Sequence, residues 1–185
     1  MEIPDMIVIM SESLVDELWK LTERKQELAA GDTLFRAGHP VRSLFLVASG
    51  AVRLIRALPH GFELTLQRAG PGAILAEASL FTQRYHCDAT AIEDSVLHVA
   101  PLRRIRSALR DDPALAAALL RHLAQEVQRA RAQAETLSLK TVAERVDAWT
   151  TLNNGLPPPK GRWRQVASEI GVTPEALYRE LARRR

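Results

Sequence analysis

The pattern of the chain changes abruptly at Pro101, and this change constrains the fold more than any other feature of the sequence. Before Pro101, short runs of β-forming residues alternate with turn residues. After it, alanine, leucine, arginine and glutamate follow a helical period, with no glycine until Gly155. We therefore expect an α+β protein, with a small β-barrel or jelly-roll-like sandwich in front and a helical part behind.

Seven short strands are predicted in the front part, after an amphipathic helix near Ser11 to Leu21. The predicted strands are Thr33–Phe35, Ser43–Ala48, Ala51–Ala57, Glu63–Arg68, Ala73–Leu75, Cys87–Ile92 and Ser95–Val99. Turn-forming sequences separate them, namely Gly31-Asp32, Gly38-His39-Pro40, Ser49-Gly50, Pro59-His60-Gly61 and Gly70-Pro71-Gly72.

A long helix is predicted to begin at Pro113, since proline suits the first helical position and Asp111 and Asp112 suit its positive end. Small and apolar residues recur along it at alternating spacings of three and four, which is the a/d pattern of a coiled coil. These residues are Ala116, Leu120, Leu123, Val127, Ala130, Ala134 and Leu137. We expect the helix to pair with a copy of itself in a homodimer. Packing of the same stripe on the β-rich part is the alternative.

The end of the chain predicts a helix-turn-helix. After a helix near Lys140 to Leu152 and a proline-rich loop, a short helix from Trp163 to Ile170 stops at Gly171. Val166, Ala167 and Ile170 share one face of this helix and are expected to be buried. Thr173-Pro174-Glu175 then supplies an N-cap, a proline at the first position and an acid in the first turn. Strong stop and start signals this close together are typical of a tight turn between two helices.

The charge distribution favours nucleic acid as the partner of this segment. Nine basic and five acidic residues lie from Leu139 onward, a net +4 that leaves about −1 for the rest of the chain. Arginine suits guanine edges and phosphates, and glutamate can accept from cytosine. The candidate DNA-binding residues are Arg164, Thr173, Glu175, Tyr178, Arg179 and Arg183. An αα-hairpin without a nucleic-acid partner is the alternative.

Composition excludes several other classes of protein. No apolar run reaches the twenty or so residues that a membrane helix needs, and the acidic N-terminus does not resemble a secretory signal, so a cytoplasmic protein is expected. The single cysteine, Cys87, allows neither an internal disulfide nor a multi-cysteine metal site. No nucleophile–base set, metal pair or phosphate-cradling glycine loop indicates an enzyme.

Three segments, in their order and spacing, resemble the Crp/Fnr family of bacterial transcription regulators. Leu28–Pro40 and Leu44–Leu54 look like the opening strands and glycine turns of a cyclic-nucleotide-binding β-roll, and Pro71–Phe81 resembles its phosphate-binding cassette. The resemblance implies a β-roll sensor (1–110), a dimerisation helix (111–138) and a winged helix-turn-helix (139–185), with DNA and RNA polymerase as partners.

Departures from the family pattern lie in the sensor. Members that bind cyclic AMP use a glycine-glutamate pair, which here is Ala76-Glu77, and an arginine-serine pair, which an ungapped alignment places on Cys87-Asp88. Loss of the guanidinium removes the partner of the phosphate, so cyclic AMP is expected to bind poorly or not at all. The iron–sulfur cluster of other members is excluded because the cysteines are missing. The effector therefore stays unknown.

The expected effector pocket consists of Ala76, Glu77, Arg84, Cys87, Asp88 and Gln133. Gln133 and Ala134 stand where the family has hydroxyl residues that meet the adenine, and Arg84 is a possible substitute phosphate ligand. Three interpretations of Cys87 stay open: a redox-sensing thiolate, if His86 or Arg84 lowers its pKa; a metal or haem ligand; or a small buried hydrophobe.

The DNA end also departs from the family pattern. The family's base-reading positions fall on Pro174, Glu175 and Arg179, so two of the three are kept. A β-hairpin wing follows the recognition helix in the family, whereas Arg185 ends this sequence, so a wingless or truncated domain is expected. The alternative function is an effector-binding or redox-sensing module that acts through protein contacts with little DNA binding of its own.

Overall fold

A computed structural model describes residues 14–57, 63–153 and 155–184. The chain divides into two compact units, Met1–Leu123 and Ala124–Arg185. The predicted helix start at Ser11, the predicted turn at Pro59-His60-Gly61 and the last residue, Arg185, lie outside the described residues.

The first unit contains two four-stranded antiparallel sheets. Their strand orders are β1-β8-β3-β6 and β2-β7-β4-β5. The strands are β1 (Arg24–Leu28), β2 (Thr33–Phe35), β3 (Ser43–Ser49), β4 (Val52–Ala57), β5 (Glu63–Ala69), β6 (Ile74–Leu75), β7 (Asp88–Ala91) and β8 (Ser95–Pro101). This arrangement confirms the predicted jelly-roll-like β-roll and the α+β class.

Seven of these strands match the predicted ones, with differences only at their ends. The strand that sequence reasoning missed is β1, which carries four polar residues before Leu28 and so lacks an alternating apolar pattern. The strand lies at the edge of its sheet, paired only with β8, where charged side chains are common because they discourage pairing with another chain.

The core of the first unit is closed by three helices. Leu14 and Leu18 from α1 (residues 14–20) and Ile105 from α2 (Leu102–Asp111) are buried in it. The first half of α3 (Pro113–Ser138) adds Leu115 and Leu119. The beginning of α3 thus packs on the β-roll.

A sharp boundary separates α2 from α3. Asp112 is extended, with φ −124° and ψ 98°, because the proline that follows disfavours helical backbone at that position. Its carboxylate accepts hydrogen bonds from the backbone N–H groups of Ala114 and Leu115 at 2.9 and 3.1 Å, so Asp112 caps the long helix. The predicted start at Pro113 is confirmed.

The second unit is a small helical domain built after the end of α3. Its helices are α4 (Val142–Leu152), α5 (Trp163–Glu169) and α6 (Pro174–Arg183). Thr141 and Glu144 form a capping box at the start of α4. The core contains Val146, Val166, Ala167, Ile170 and Leu177, of which the three from the segment 163–170 are those predicted to be buried.

None of the helices in the described part of the chain is both long enough and apolar enough to cross a membrane.

Candidate DNA-reading surface and effector site

The turn between α5 and α6 is held by one arginine, Arg145 of α4. Its guanidinium donates to the carbonyl oxygens of Ile170 and Gly171 in the turn, both at 3.0 Å. It also donates to the carbonyls of Leu137 and Leu139 at the end of α3, at 3.1 and 2.9 Å. Four backbone carbonyls therefore share one charged donor, which fixes the turn against the end of α3.

Gly171 is required at this turn for two reasons. Its φ of +64° lies in the left-handed region, which a residue with a Cβ enters only at a cost. A methyl group at this position would also lie 2.5 Å from Cδ2 of Leu137. The glycine thus both ends α5 and admits the side chain of Leu137 against the turn.

The helix α6 presents two charged residues to solvent. Thr173 is its N-cap, with the side-chain oxygen accepting from the backbone N–H of Ala176 at 3.2 Å. Leu177 is fully buried, and this contact turns Glu175 and Arg179 outward. Within the described chain, no ion pair engages either of these two side chains.

The other predicted DNA contacts have varied surroundings. Tyr178 is 38% exposed and packs on Trp163, with the ring centroids 5.3 Å apart, which fits its predicted marginal position. Arg164 is exposed on α5. Arg183 is also exposed but forms an ion pair with Glu180 at 2.8 Å. Arg183 is consequently a weaker candidate for a base contact than Arg179.

Part of the basic charge counted at the end of the sequence is neutralised inside the unit. Arg145 is bonded to carbonyls, and Arg184 pairs with Asp147 and with Glu180 while donating to the carbonyl of Ala143. Sequence reasoning gave these two arginines no structural role, because most of their partners lie in other helices or turns. The surface available to DNA is therefore narrower than the net charge suggests.

The predicted dimer stripe lies along α3. Leu120, Val127 and Leu137 are 68%, 49% and 38% exposed, and Ala130 and Ala134 are also exposed. Leu123 is partly buried and packs against the core of the first unit. The stripe past the first turns of α3 is thus apolar and largely uncovered in the single chain.

The cassette between β6 and β7 contains a strained residue. Ala76 has φ +70°, the one positive φ at a residue other than glycine among those described. It precedes a short 3-10 helix, Glu77–Ser79, in which Glu77 and Ser79 are buried. A side chain in the left-handed region costs free energy, and such strain is concentrated at functional sites.

Cys87 is a core residue rather than a surface thiol. It is 2% exposed and belongs to the hydrophobic core of the first unit. The pKa of the thiol is raised to about 11, chiefly by burial; the charge of Arg56 opposes this rise, and the charges of Asp88 and Glu77 add to it. A thiol in these surroundings stays protonated at neutral pH, which favours the interpretation as a small buried hydrophobe over a redox-sensing thiolate.

The remaining predicted pocket residues make internal contacts or lie elsewhere. Asp88 accepts from the backbone N–H of Ala37 at 2.6 Å, and Arg84 donates to the carbonyl of Gly38. Gln133 is partly exposed on the portion of α3 that belongs to the second unit. Cys87 and Asp88 themselves therefore offer no cationic side chain to a bound anion.

Sequence reasoning missed a polar group beside Cys87. Arg56 of β4 donates to the backbone carbonyl of His86 at 3.5 Å, and Nδ1 of His86 lies 3.3 Å from Oγ of Ser79. Burial and the charge of Arg56 together lower the pKa of His86. The only available signal was an arginine at a position where the strand alternation calls for an inward residue.

No group of three or more potential metal ligands occurs among the described residues. The interpretation of Cys87 as a metal ligand therefore has no structural support in this part of the chain.

Comparisons with known proteins relate the chain to one family of proteins. The cyclic nucleotide-binding domain family matches residues 25–112. The cyclic AMP receptor protein of Thermus thermophilus is 32% identical over 155 residues, which cover 82% of this chain and 72% of that protein. The global nitrogen regulator of Synechococcus elongatus is 28% identical over 177 residues, covering 88% and 79%.

The same likeness is found among solved structures. The crystal structure of the Thermus thermophilus catabolite activator protein has a TM-score of 0.58 and 29% identity, covering 92% of this chain and 82% of that one. The sensor domain of the transcriptional regulator DNR from Pseudomonas aeruginosa has a TM-score of 0.54 and 27% identity, covering 70% and 84%.

Proposed function

Because the chain belongs to the Crp/Fnr family of transcription regulators, we propose that it binds a pseudo-palindromic DNA site as a homodimer and responds to an effector other than cyclic AMP. The relatives named above are regulators rather than enzymes. The proposal assigns base reading to α6, dimerisation to α3 and effector recognition to the cassette region. RNA polymerase is the further partner that a regulator of this family requires.

The observation that carries the proposal is the outward pair Glu175 and Arg179 on a rigidly held α6. A guanidinium matches the O6 and N7 acceptors of guanine, and a carboxylate can accept from the amino group of cytosine. Both side chains are exposed, and the buried Leu177 between them fixes the face that they share. Thr173 and Arg164 are the proposed phosphate contacts, with Tyr178 at the margin.

The exposed apolar stripe on α3 supports the homodimer. Two copies paired along Leu120, Val127 and Leu137 would cover side chains that are exposed in one chain. A two-fold dimer presents two recognition helices, which read half-sites about one helical turn of DNA apart. A pseudo-palindromic target follows from this symmetry.

The surroundings of Cys87 and Asp88 support an effector other than cyclic AMP. The first is buried as a neutral thiol and the second is bonded to backbone, so neither offers a cation to a cyclic phosphate. The proposal therefore expects little stabilisation of the protein by cyclic AMP.

The proposal is tested by mobility-shift and anisotropy measurements on DNA from the region upstream of the chain's own gene. We expect sequence-preferential binding whose affinity falls log-linearly with salt, as counterions leave the phosphates. Light scattering on the same sample should give the mass of a dimer. Binding with neither sequence preference nor salt dependence would instead favour the module that acts through protein contacts.

A further inference from the structure

The inner face of β4 carries a charged residue where the fold calls for an apolar one. Val52 and Leu54 are buried and lie opposite Ala91 and Ala89 of β7. Side chains directly opposite on antiparallel strands share a face of the sheet. The register continues to Ile55 opposite Asp88, so the next residue of β4, Arg56, follows the inward series at the end of the ladder.

Electrostatic contacts agree with this position. The charge of Arg56 acts on both the buried thiol of Cys87 and the imidazole of His86, and lowers the pKa of each. Arg56 is an exposed residue, so its long side chain can extend from the inner face of the roll towards solvent. Arg56 thus stands beside the position where the sequence lacks the family's phosphate-binding arginine.

Most of the hydrogen-bonding capacity of Arg56 is unused by the described residues. A guanidinium has five N–H donors. One long hydrogen bond, of 3.5 Å to the carbonyl of His86, joins it to the described part of the chain. The imidazole of His86 is exposed and contacts Ser79 through Nδ1 at 3.3 Å, which leaves Nε2 for another partner.

The carboxylate of Asp88 already has another partner among the described residues. Asp88 is held by the backbone N–H of Ala37, and Glu77 is buried in the cassette beside the strained Ala76. A fork of parallel N–H donors matches a planar carboxylate or a phosphate, which can accept two hydrogen bonds at once.

We infer that Arg56 and His86 form the anion-binding end of the effector site, and that the effector is a small metabolite with a carboxylate or phosphate group. The inference rests on the proposed function, because it names the effector class of the same regulator. Arg56 on β4 then supplies the cation that the segment containing Cys87 lacks.

The test is thermal unfolding of the full chain with sodium phosphate or sodium succinate, against sodium chloride at matched ionic strength. We expect one of the two anions to raise Tm by roughly 3–6 °C when it is about tenfold above its dissociation constant. The anion that acts shows whether phosphate or carboxylate is preferred. An equal rise in chloride, or no rise with either anion, would overturn the inference.

Variants test whether the anion-dependent rise in Tm depends on Arg56. Arg56→Ala should abolish the anion-dependent rise, and Arg56→Lys should retain only part of it, because the charge stays while the fork is lost. Arg110→Ala, which removes an exposed arginine of the same unit, should respond like the wild type. An unchanged rise in Arg56→Ala would refute the assignment. If that variant does not fold, Arg56→Lys and His86→Ala make the same comparison.

DNA binding by the same proteins separates this inference from the proposed function. A wild-type chain that binds DNA specifically but gives no Arg56-dependent stabilisation refutes only the inference. A chain that is stabilised through Arg56 but does not bind DNA refutes the proposed function and leaves the anion site standing.

Discussion

The cassette and the helix-turn-helix use their polar residues in opposite directions. In the cassette, Glu77 and Ser79 are turned inward and buried, whereas in α6, Glu175 and Arg179 are turned outward and exposed. In a buried site, a different side chain on one strand can change which ligand binds. A candidate DNA-reading surface instead presents its polar side chains to solvent, and their positions depend on the packed helices beneath them.

The two regions also differ in how their backbone is held. The turn before α6 is tied to the end of α3 by four hydrogen bonds from Arg145, two to each segment, and contains a glycine that adopts its left-handed φ without strain. The cassette instead contains Ala76 in the same left-handed region, where a Cβ is unfavourable. The turn before α6 is therefore relaxed, and the cassette is strained.

Arg145→Ala should have the largest effect on stability. It leaves four carbonyls, of which two are in partly buried contacts, without their charged donor, so the free energy of unfolding should fall by about 2–4 kcal/mol. Denaturant unfolding of the full chain measures this loss. The control is Arg131→Ala, an exposed arginine on α3 of the same unit, for which no change is expected. Equal stability of the two variants would mean that the turn is not held by Arg145.

Cys87 should be nearly inert towards alkylation in the folded protein. A pKa near 11 instead of 9.0 leaves about 100-fold less thiolate at pH 8, and burial hinders access further. The labelling rate should therefore stay low through neutral pH and rise towards pH 11. Urea-unfolded protein is the control and should label rapidly. Fast labelling of the native protein would revive the thiolate-sensor interpretation.

Gly171→Ala should lower the free energy of unfolding by about 1–2 kcal/mol. The new residue would have an unfavourable φ, and its methyl group would contact the side chain of Leu137. Leu137 is a flexible side chain and can move, which limits the penalty. Gly161→Ala is the matched control, since Gly161 also has positive φ but no atom within 4 Å of the added Cβ. Thermal unfolding of both variants separates backbone strain from the contact. Equal losses would show that Leu137 contributes nothing.

Ala76→Gly should have the smallest effect and the opposite sign. Glycine enters the left-handed region freely, so relief of strain should raise the stability of the first unit by up to about 1 kcal/mol. Ala78→Gly in the neighbouring 3-10 helix should instead be neutral or destabilising. A loss of stability in Ala76→Gly would indicate that the methyl group packs favourably enough to offset the strain.

Local sequence signals predicted the helices α5 and α6 and the turn between them well. Gly171 and the sequence Thr173-Pro174-Glu175 mark the end of α5 and the start of α6 through backbone preferences that act within a few residues. The spacing of Val166, Ala167 and Ile170 likewise predicted their burial, since helical periodicity alone determines which residues share a face.

The features that sequence reasoning missed depend on distant contacts. Arg145 donates to carbonyls in a turn that follows it by 25 residues or more. Backbone carbonyl acceptors leave no side-chain pattern in the sequence. The position of Arg56 beside Cys87 and His86 follows only from the pairing of β4 with β7. The charged edge strand β1 has no apolar alternation, so only its pairing with β8 defines it.

The most direct test of the account is DNA binding by Arg179→Ala in an intact dimer, beside Arg110→Ala as the matched loss of one exposed arginine. The account predicts that Arg179→Ala weakens specific binding by about 10-fold or more per half-site, since a base contact is worth roughly 1–3 kcal/mol, whereas Arg110→Ala binds as the wild type does. Specific affinity that is unchanged by Arg179→Ala, or reduced equally by both substitutions, would contradict the assignment of base reading to α6.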